Sequence, residues 1–129
     1  MRVTMTVRGI RGAITVSDNT IEHIIEDTKI LLKTMITDNH IDSADIISIF
    51  FSTTKDLNAT FPAKAAREIG LLDTPLLCLN ELDVPHSLEK VIRILLHANC
   101  DKTQAEIQHV YLKDAIQLRP DLSKDKYHL

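Results

Sequence analysis

Four arginines lie beside apolar segments, where a guanidinium group could bind an anion: Arg11, Arg67, Arg93 and Arg119. Arg93 is the most informative, because it interrupts the apolar run 91–95 and a guanidinium group is costly to bury unless it meets an anion. Its partner could be an internal carboxylate such as Glu81 or Asp83, or the carboxylate of a bound ligand. The pattern alone leaves both alternatives open.

The other chemistry-bearing residues form no catalytic pattern. The six histidines include no HxH, HxxxH or HExxH pair, and no glycine-rich phosphate loop is present, so we expect no metal and no cofactor. Ser52-Thr53-Thr54-Lys55 and Ser17-Asp18-Asn19 match two elements of serine acyl-enzymes, but their order is reversed and the third element is missing. Cys78 lies in a short apolar run, where a buried structural cysteine is more common than a catalytic thiol.

Composition excludes several classes of partner. The 129 residues balance 15 Lys and Arg against 18 Asp and Glu, for a net charge of -3, without a basic stripe that would bind nucleic acid. No apolar run reaches the ~18 residues needed to span a bilayer, and the first residues lack the apolar stretch of a secretory signal. We therefore expect no membrane partner. Because Cys78 and Cys100 form no CxxC pair and no disulfide framework, we also expect a cytoplasmic protein.

The elements that position these residues follow from periodicity. Alternating polar and apolar residues over 2–7 predict a strand. Next comes Arg8-Gly9-Ile10-Arg11-Gly12-Ala13, which contains two of the only three glycines, so the backbone needs a glycine conformation or a close approach there. Apolar residues at helical spacing over 21–36 predict an amphipathic helix that ends near Asp38, with Asn19 and Glu22 at capping-box spacing.

The remaining elements are shorter. They are a buried strand over 46–51, a helix that starts at Thr60-Phe61-Pro62 and stops at Gly70, and a strand over 75–79. Residues 88–98 fit a helix by spacing and a strand by β-branching, which periodicity does not resolve. Thr103 and Glu106 form a capping box for a short helix, and residues 110–118 predict a last strand.

Six blocks of sequence follow one another in a recognisable order: Arg8-Gly9-Ile10-Arg11-Gly12-Ala13, Phe61-Pro62-Ala63-Lys64-Ala65-Ala66-Arg67, Glu81-Leu82-Asp83-Val84, Ile92-Arg93, His109-Val110-Tyr111-Leu112 and Leu118-Arg119-Pro120-Asp121-Leu122. Together they resemble the small monofunctional chorismate mutases of the Bacillus type, over about residues 7–123. Each block is weakly specific alone, but six blocks in the same order make the resemblance specific.

The resemblance implies an α+β fold, in which a mixed β-sheet has its helices on one face. Three copies would form a pseudo-α/β-barrel with active sites in clefts between subunits, and residues 91–98 would be a strand. We expect a single domain over 1–129 with a mobile tail over 124–129. The family usually has a glycine where this chain has Pro85-His86-Ser87, which leaves the conformation of that loop open.

The resemblance also implies roles for individual residues. It assigns catalysis to Arg93, Glu81 and Arg11. Arg11, Arg93 and Tyr111 would bind the side-chain carboxylate and ether oxygen of chorismate. Glu81 and Cys78 would contact the side of the ring that carries the hydroxyl. The other binding residues it implies are Leu77, then Phe61, Ala63, Lys64 and Arg67 from the adjoining subunit, and Leu118 and Arg119 over the mouth.

The implied reaction is the rearrangement of chorismate to prephenate in aromatic amino-acid biosynthesis, which would make the protein an isomerase. This one-substrate reaction needs no nucleophile and no proton transfer, in keeping with the lack of a triad or metal motif. The alternative is a trimeric small-ligand binding or regulatory protein, or an enamine deaminase-like enzyme, on the same fold. Glu81, Arg93 and Arg11 are the residues that distinguish the mutase from these alternatives.

Overall fold

The computed structural model describes residues 5–119. Within them, five strands form one sheet: β1 (Thr6–Thr15), β2 (Ile46–Thr53), β3 (Leu76–Asn80), β4 (Val91–Cys100) and β5 (Val110–Leu112). There are two α-helices, α1 (Ile21–Asp38) and α2 (Ala63–Glu68), and three 3-10 helices, over Ser43–Asp45, Gln104–Glu106 and Lys113–Leu118. None of the helices within residues 5–119 has the length and apolar character needed to cross a membrane. The predicted mobile tail over 124–129 lies outside the described residues.

β4 is the middle strand of the sheet, whose order is β3-β2-β4-β1-β5. It pairs antiparallel with β1 and β2, whereas β3 and β5 pair parallel with their neighbours. The sheet is therefore mixed, which confirms the predicted fold class. The register places one residue from each strand in a single row across the sheet: Leu79, Ser52, Arg93, Ala13 and Tyr111. Side chains in such a row share one face of the sheet.

Helix α1 covers the other face of the sheet and buries most of the core. Its apolar stripe, which includes Leu31, Leu32 and Met35, packs in one cluster with side chains of β1 and β4 such as Ile14 and Ile94. Burying an aliphatic side chain of this size contributes about 1.5–3 kcal/mol. Helix α2 contacts α1 and joins the same cluster, so both helices lie on one face, as predicted.

β1 does not turn at its two glycines, because Gly9 and Gly12 both lie inside the strand. The predicted end of this strand at residue 7 is wrong, whereas the predicted close approach is confirmed at Gly12. A Cβ atom there would overlap the Met35 Sδ atom and lie 3.0 Å from the Leu31 Cδ1 atom. At Gly9 the nearest atom to such a Cβ, on the Leu95 side chain, would be 3.8 Å away. Helix α1 therefore needs a glycine only at position 12.

Helix α1 has nearly the predicted extent, but its N-cap is Thr20 rather than Asn19. Thr20 Oγ1 accepts a hydrogen bond from the backbone N–H of His23 at 3.1 Å. Asn19 Oδ1 accepts instead from the backbone N–H groups of Asn58 and Ala59, at 3.0 Å each. Asn19 thus ties the start of α1 to the segment before α2, a long-range role that local spacing does not reveal.

Most of the shorter elements agree with the sequence. The strands predicted over 46–51 and 75–79 are β2 and β3, and residues 91–98 lie in β4, as the resemblance implied. Helix α2 begins later than predicted, with Pro62 at its N-cap, and it is followed by Gly70 at a φ of 100°. Thr103 and Glu106 form the predicted capping box.

The strand predicted over 110–118 is wrong beyond Leu112, where a 3-10 helix begins. Lys113 has a φ of 54°, which ends the extended conformation. Its Nζ atom lies 2.9 Å from the Oδ1 atom of Asp27, a buried carboxylate on α1. This ion pair with a distant helix favours the turn at Lys113, although the residues after it have the composition of a strand.

Candidate active site

The face of the sheet opposite α1 carries a cleft of about 360 Å³. Arg11 and Arg93 reach it from β1 and β4, and Tyr111 reaches it from β5. Arg11 lies two residues before Ala13, so it shares the face of the row that contains Arg93. The apolar part of the lining includes Phe50, Leu79 and Leu95. Two guanidinium groups in an apolar wall suit a compact organic anion.

Arg93 is paired with Glu81 at the edge of this cleft. The Arg93 Nε and Glu81 Oε1 atoms are 3.4 Å apart, and Ser52 Oγ donates a hydrogen bond to the same Glu81 oxygen at 2.6 Å. The backbone N–H of Glu81 donates to the Thr53 carbonyl at 2.9 Å, so side chain and backbone are both fixed. The Arg93 Nε atom is buried and makes no hydrogen bond, so Glu81 contacts it only as an ion pair. The Arg93 side chain is still 42% exposed, which leaves donors of the guanidinium group accessible.

The internal partner of Arg93 is therefore Glu81 and not Asp83. The Asp83 carboxylate pairs with Lys55 Nζ at 2.9 Å. An ion pair as exposed as that between Arg93 and Glu81 contributes at most about 1 kcal/mol to stability. Its main effect is to orient two charged groups beside the cleft.

Arg93 also lines a second, smaller cavity of about 150 Å³. Glu81, Val91 and Leu118 also line it. Leu118 packs against a small apolar cluster that contains Val91 and Tyr111. The end of the last 3-10 helix thus lies beside Arg93, and the structure brings together Arg11, Arg93, Glu81, Tyr111 and Leu118.

The residues assigned to an adjoining subunit do not line either of these two cavities in a single copy of the chain: Phe61, Ala63, Lys64 and Arg67. Phe61 is 66% exposed just before α2. Arg67 Nη1 donates to the Leu71 and Leu72 carbonyls at 2.6 Å and 2.7 Å, which holds its guanidinium group at the turn after α2. These two bonds leave the donors on its Nε and Nη2 atoms available.

Cys78 lies next to Ala63, one of the residues assigned to the adjoining subunit. The register pairs Cys78 with Phe51, so its side chain points to the helix-covered face, while Leu77 is half exposed on the cleft face. Burial raises the pKa of the Cys78 thiol, although a hydrogen bond from the backbone N–H of Ala63 opposes the shift. A neutral thiol is a poor nucleophile. Within residues 5–119, no three His, Cys, Asp or Glu side chains are grouped closely enough to hold a metal ion.

His109 lies next to the site, and sequence reasoning assigned it no role there. Its Nδ1 atom accepts a hydrogen bond from the backbone N–H of Arg11 at 3.0 Å. Burial, together with the positive charges of Arg11 and Arg119, lowers the pKa of His109. Arg119 therefore lies close enough to His109 for its charge to act on the ring. The only sequence signal for His109 was its position two residues before Tyr111.

The loop over Pro85-His86-Ser87 has a conformation typical of glycine. His86 has a φ of 65°, in the left-handed region that non-glycine residues occupy at a cost. Ser87 supports the turn, since its backbone N–H and its Oγ both donate to the Val84 carbonyl, at 3.1 Å and 2.6 Å. The loop therefore places a non-glycine residue in a backbone region that glycine occupies without strain.

Comparison with known proteins agrees with this geometry. The model of the family "Chorismate mutase type I" matches residues 7–122. Chorismate mutase AroH of Bacillus subtilis (strain 168) is 46% identical over 123 residues, which are 95% of this chain and 97% of that protein. Chorismate mutase AroH of Thermus thermophilus is 49% identical over 117 residues, 90% of this chain and 96% of that protein. The solved structure of a chorismate mutase from Clostridium thermocellum is 55% identical and superimposes with a TM-score of 0.82, covering 83% of this chain and 96% of that one. The chain belongs to the type I chorismate mutase family.

Proposed function

We propose that this chain catalyses the intramolecular rearrangement of chorismate to prephenate. The observation that carries the proposal is the Arg93–Glu81 pair at the edge of an apolar cleft that also holds Arg11. Membership of the chorismate mutase family favours this reaction over a regulatory or deaminase function. The reaction places the protein among the isomerases of aromatic amino-acid biosynthesis.

The cleft would accelerate the reaction by position and by fixed charge. In one molecule of substrate, a C–O bond breaks as a C–C bond forms, so no proton, electron or second reactant is needed. Binding the folded conformer, in which the two reacting carbons meet, removes much of the entropic barrier. As the C–O bond lengthens, its oxygen gains negative charge, and the guanidinium group of Arg93 would stabilise that charge more in the transition state than in the ground state.

Glu81 and Arg11 have complementary roles in this proposal. The Glu81 carboxylate would face the partial positive charge that develops on the ring, and its hydrogen bond from Ser52 keeps it oriented. Arg11 and Tyr111 would bind the side-chain carboxylate, since a guanidinium group can donate two parallel hydrogen bonds to it. Leu118 and Arg119 would cover the mouth.

The working form of the enzyme in this proposal is a homotrimer with sites between subunits. Support comes from the cleft face of the sheet, where Leu77 and Leu79 are each 50% exposed. Apolar surface of this kind is typical of a face that another copy covers. The neighbouring copy would then bring Phe61, Ala63, Lys64 and Arg67 to the cleft, together with Cys78, which lies against Ala63.

Mixing two strongly impaired variants tests the shared site. Arg11→Ala and Arg67→Ala chains, refolded together in equal amounts, should recover up to about a quarter of wild-type turnover, because random mixing leaves that share of sites with both arginines. Arg11→Ala mixed with Arg93→Ala is the matched control and should recover nothing, since both residues lie in one cleft. Equal recovery in the two mixtures, measured after confirming mixed trimers by mass, would exclude the shared site.

The activity itself is tested by following the ultraviolet absorbance of chorismate with purified protein. Turnover should be nearly constant from about pH 7 to 9, because no group has to gain or lose a proton during the reaction. The pKa of His109 is lowered, away from this interval, and that of Cys78 is raised towards or beyond its upper end. A bell-shaped profile with a large solvent isotope effect would indicate acid–base catalysis instead. Binding of chorismate without its decay would indicate a ligand-binding protein.

We also place this activity in the cytoplasm. The support is the state of the cysteines: Cys78 and Cys100 form no disulfide within residues 5–119. Unpaired cysteines are typical of proteins from a reducing compartment. Immunolocalisation or fractionation of the producing cell would test this assignment.

A further inference from the structure

Two side chains take the place of a neighbouring strand along part of the outer edge of β1. Gln104 exchanges two hydrogen bonds with the backbone of Gly9, at 2.6 Å and 3.1 Å. The next bond along this edge is the one from the Arg11 N–H to His109 Nδ1. β5 pairs with β1 only from Gly12 onwards. The N–H of Arg11 is therefore bound on this side by a histidine ring rather than by a strand.

This hydrogen bond determines which tautomer of His109 is present. A backbone N–H can only donate, so Nδ1 must carry its lone pair and the ring proton must lie on Nε2. A doubly protonated ring has no acceptor and would release Arg11. The charged groups that act on the ring are Arg11 itself, from β1, and Arg119, after the last 3-10 helix. Both are positive and oppose protonation, so the acceptor persists at neutral pH.

We infer that His109 is a positioning residue that fixes the point from which Arg11 enters the cleft. On its other side, Arg11 lies opposite Leu95 of β4, so β4 and the histidine flank the same residue. Small displacements of a group that binds substrate have large effects on rate and affinity. The inference rests on the proposed function, because it takes Arg11 as a ligand of the substrate carboxylate.

Three substitutions at position 109 separate this role from a general structural one. The Oδ1 atom of asparagine lies close to where Nδ1 lies in histidine, whereas the oxygen of glutamine is one bond further along the side chain. His109→Ala and His109→Gln should raise the KM for chorismate about three- to tenfold, the usual effect of losing one hydrogen bond. His109→Asn should restore a KM close to that of the wild type. Equal values for the asparagine and glutamine variants would overturn the inference.

The pH dependence gives a second measurement on the same variants. The wild-type KM should rise as the pH falls through the lowered pKa of His109, where the ring becomes protonated and loses its acceptor. His109→Asn should lack this part of the rise, because an amide does not titrate. If the KM of the two proteins rises equally at low pH, the result would count against the assignment.

A double substitution distinguishes failure of this inference from failure of the proposed function. If His109 acts through Arg11, adding His109→Ala to Arg11→Ala should raise the KM no further. Additive effects would refute the positioning role. An unchanged KM in Arg11→Ala alone would instead refute the role of Arg11 in the proposed site.

The hydrogen bond can also be followed without any activity. By NMR, exchange of the Arg11 amide proton should be faster in His109→Ala than in the wild type, and His109→Asn should restore its protection. Thermal unfolding of each variant checks that the fold is retained. Unchanged exchange in a folded His109→Ala protein would show that the bond does not form in solution.

Discussion

Replacing Arg93 with lysine should lower kcat at least about a hundredfold, the typical loss when an oriented donor to a developing oxyanion is removed. Lysine retains the positive charge, but its ammonium group is a single point on a flexible stem. It cannot pair with Glu81 through one nitrogen and present others, in a fixed plane, to the substrate. The hydrogen bond from Ser52 to Glu81 would remain, but the carboxylate would no longer be matched by a planar partner.

The comparison is made under saturating chorismate, so that kcat and KM are separated. Arg8→Lys is a matched control on the next antiparallel strand, because Arg8 Nε donates to the Lys102 carbonyl at 2.8 Å and does not line the cleft. It should retain turnover within about twofold, as expected for a change distant from the chemistry. Near wild-type turnover in Arg93→Lys would remove Arg93 from the mechanism.

The largest expected effect on stability is at Gly12. Gly12→Ala should lower the free energy of unfolding by about 1–3 kcal/mol, the usual cost of adding a methyl group to a well-packed core. The new methyl group would overlap Met35 Sδ, and Met35 is fully buried on α1. Either the methionine leaves its rotamer or α1 moves away from β1.

Denaturant unfolding at one protein concentration measures this cost. Gly9→Ala is the control on the same strand, because its methyl group would have only ordinary contact with Leu95, and it should lie within about 0.5 kcal/mol of the wild type. Met35→Ala should be costly alone, yet less costly in the presence of Gly12→Ala, because the new methyl group fills part of the cavity. Equal stabilities for Gly9→Ala and Gly12→Ala would mean that α1 adjusts freely.

Local pattern predicted those parts of the fold whose environment repeats along the chain. The apolar spacing of α1 and the β-branched run of β2 each report one buried face, so periodicity alone located both. It failed where a distant partner decides the structure. The glycines of β1 resemble a turn until α1 is known to lie against Gly12, and the residues after Leu112 resemble a strand until Asp27 is known to hold Lys113.

The residues of the site were likewise predicted where local sequence reports their role and missed where a distant partner decides it. The sequence identified Arg93 as needing an anion and proposed Glu81 as a partner, because an arginine in an apolar run is conspicuous by itself. Ser52 and His109 were missed as supporting residues. Their roles depend on the register of β2 against β4 and on how β5 follows the edge of β1, and neither register is encoded in short-range spacing.

The central place of β4 has a consequence for how the protein is made. β1 and β2 come first along the chain but are not neighbours in the sheet, since β4 lies between them and pairs Thr6 with Cys100. During synthesis on the ribosome, the edges of β1 and β2 that face β4 therefore stay unpaired until about fifty more residues have been added after β2. At ordinary elongation rates this takes several seconds. Such edges invite pairing with other chains. We therefore expect nascent chains truncated before β4 to need chaperones, and the arginines of β1 to become organised only when synthesis is nearly over.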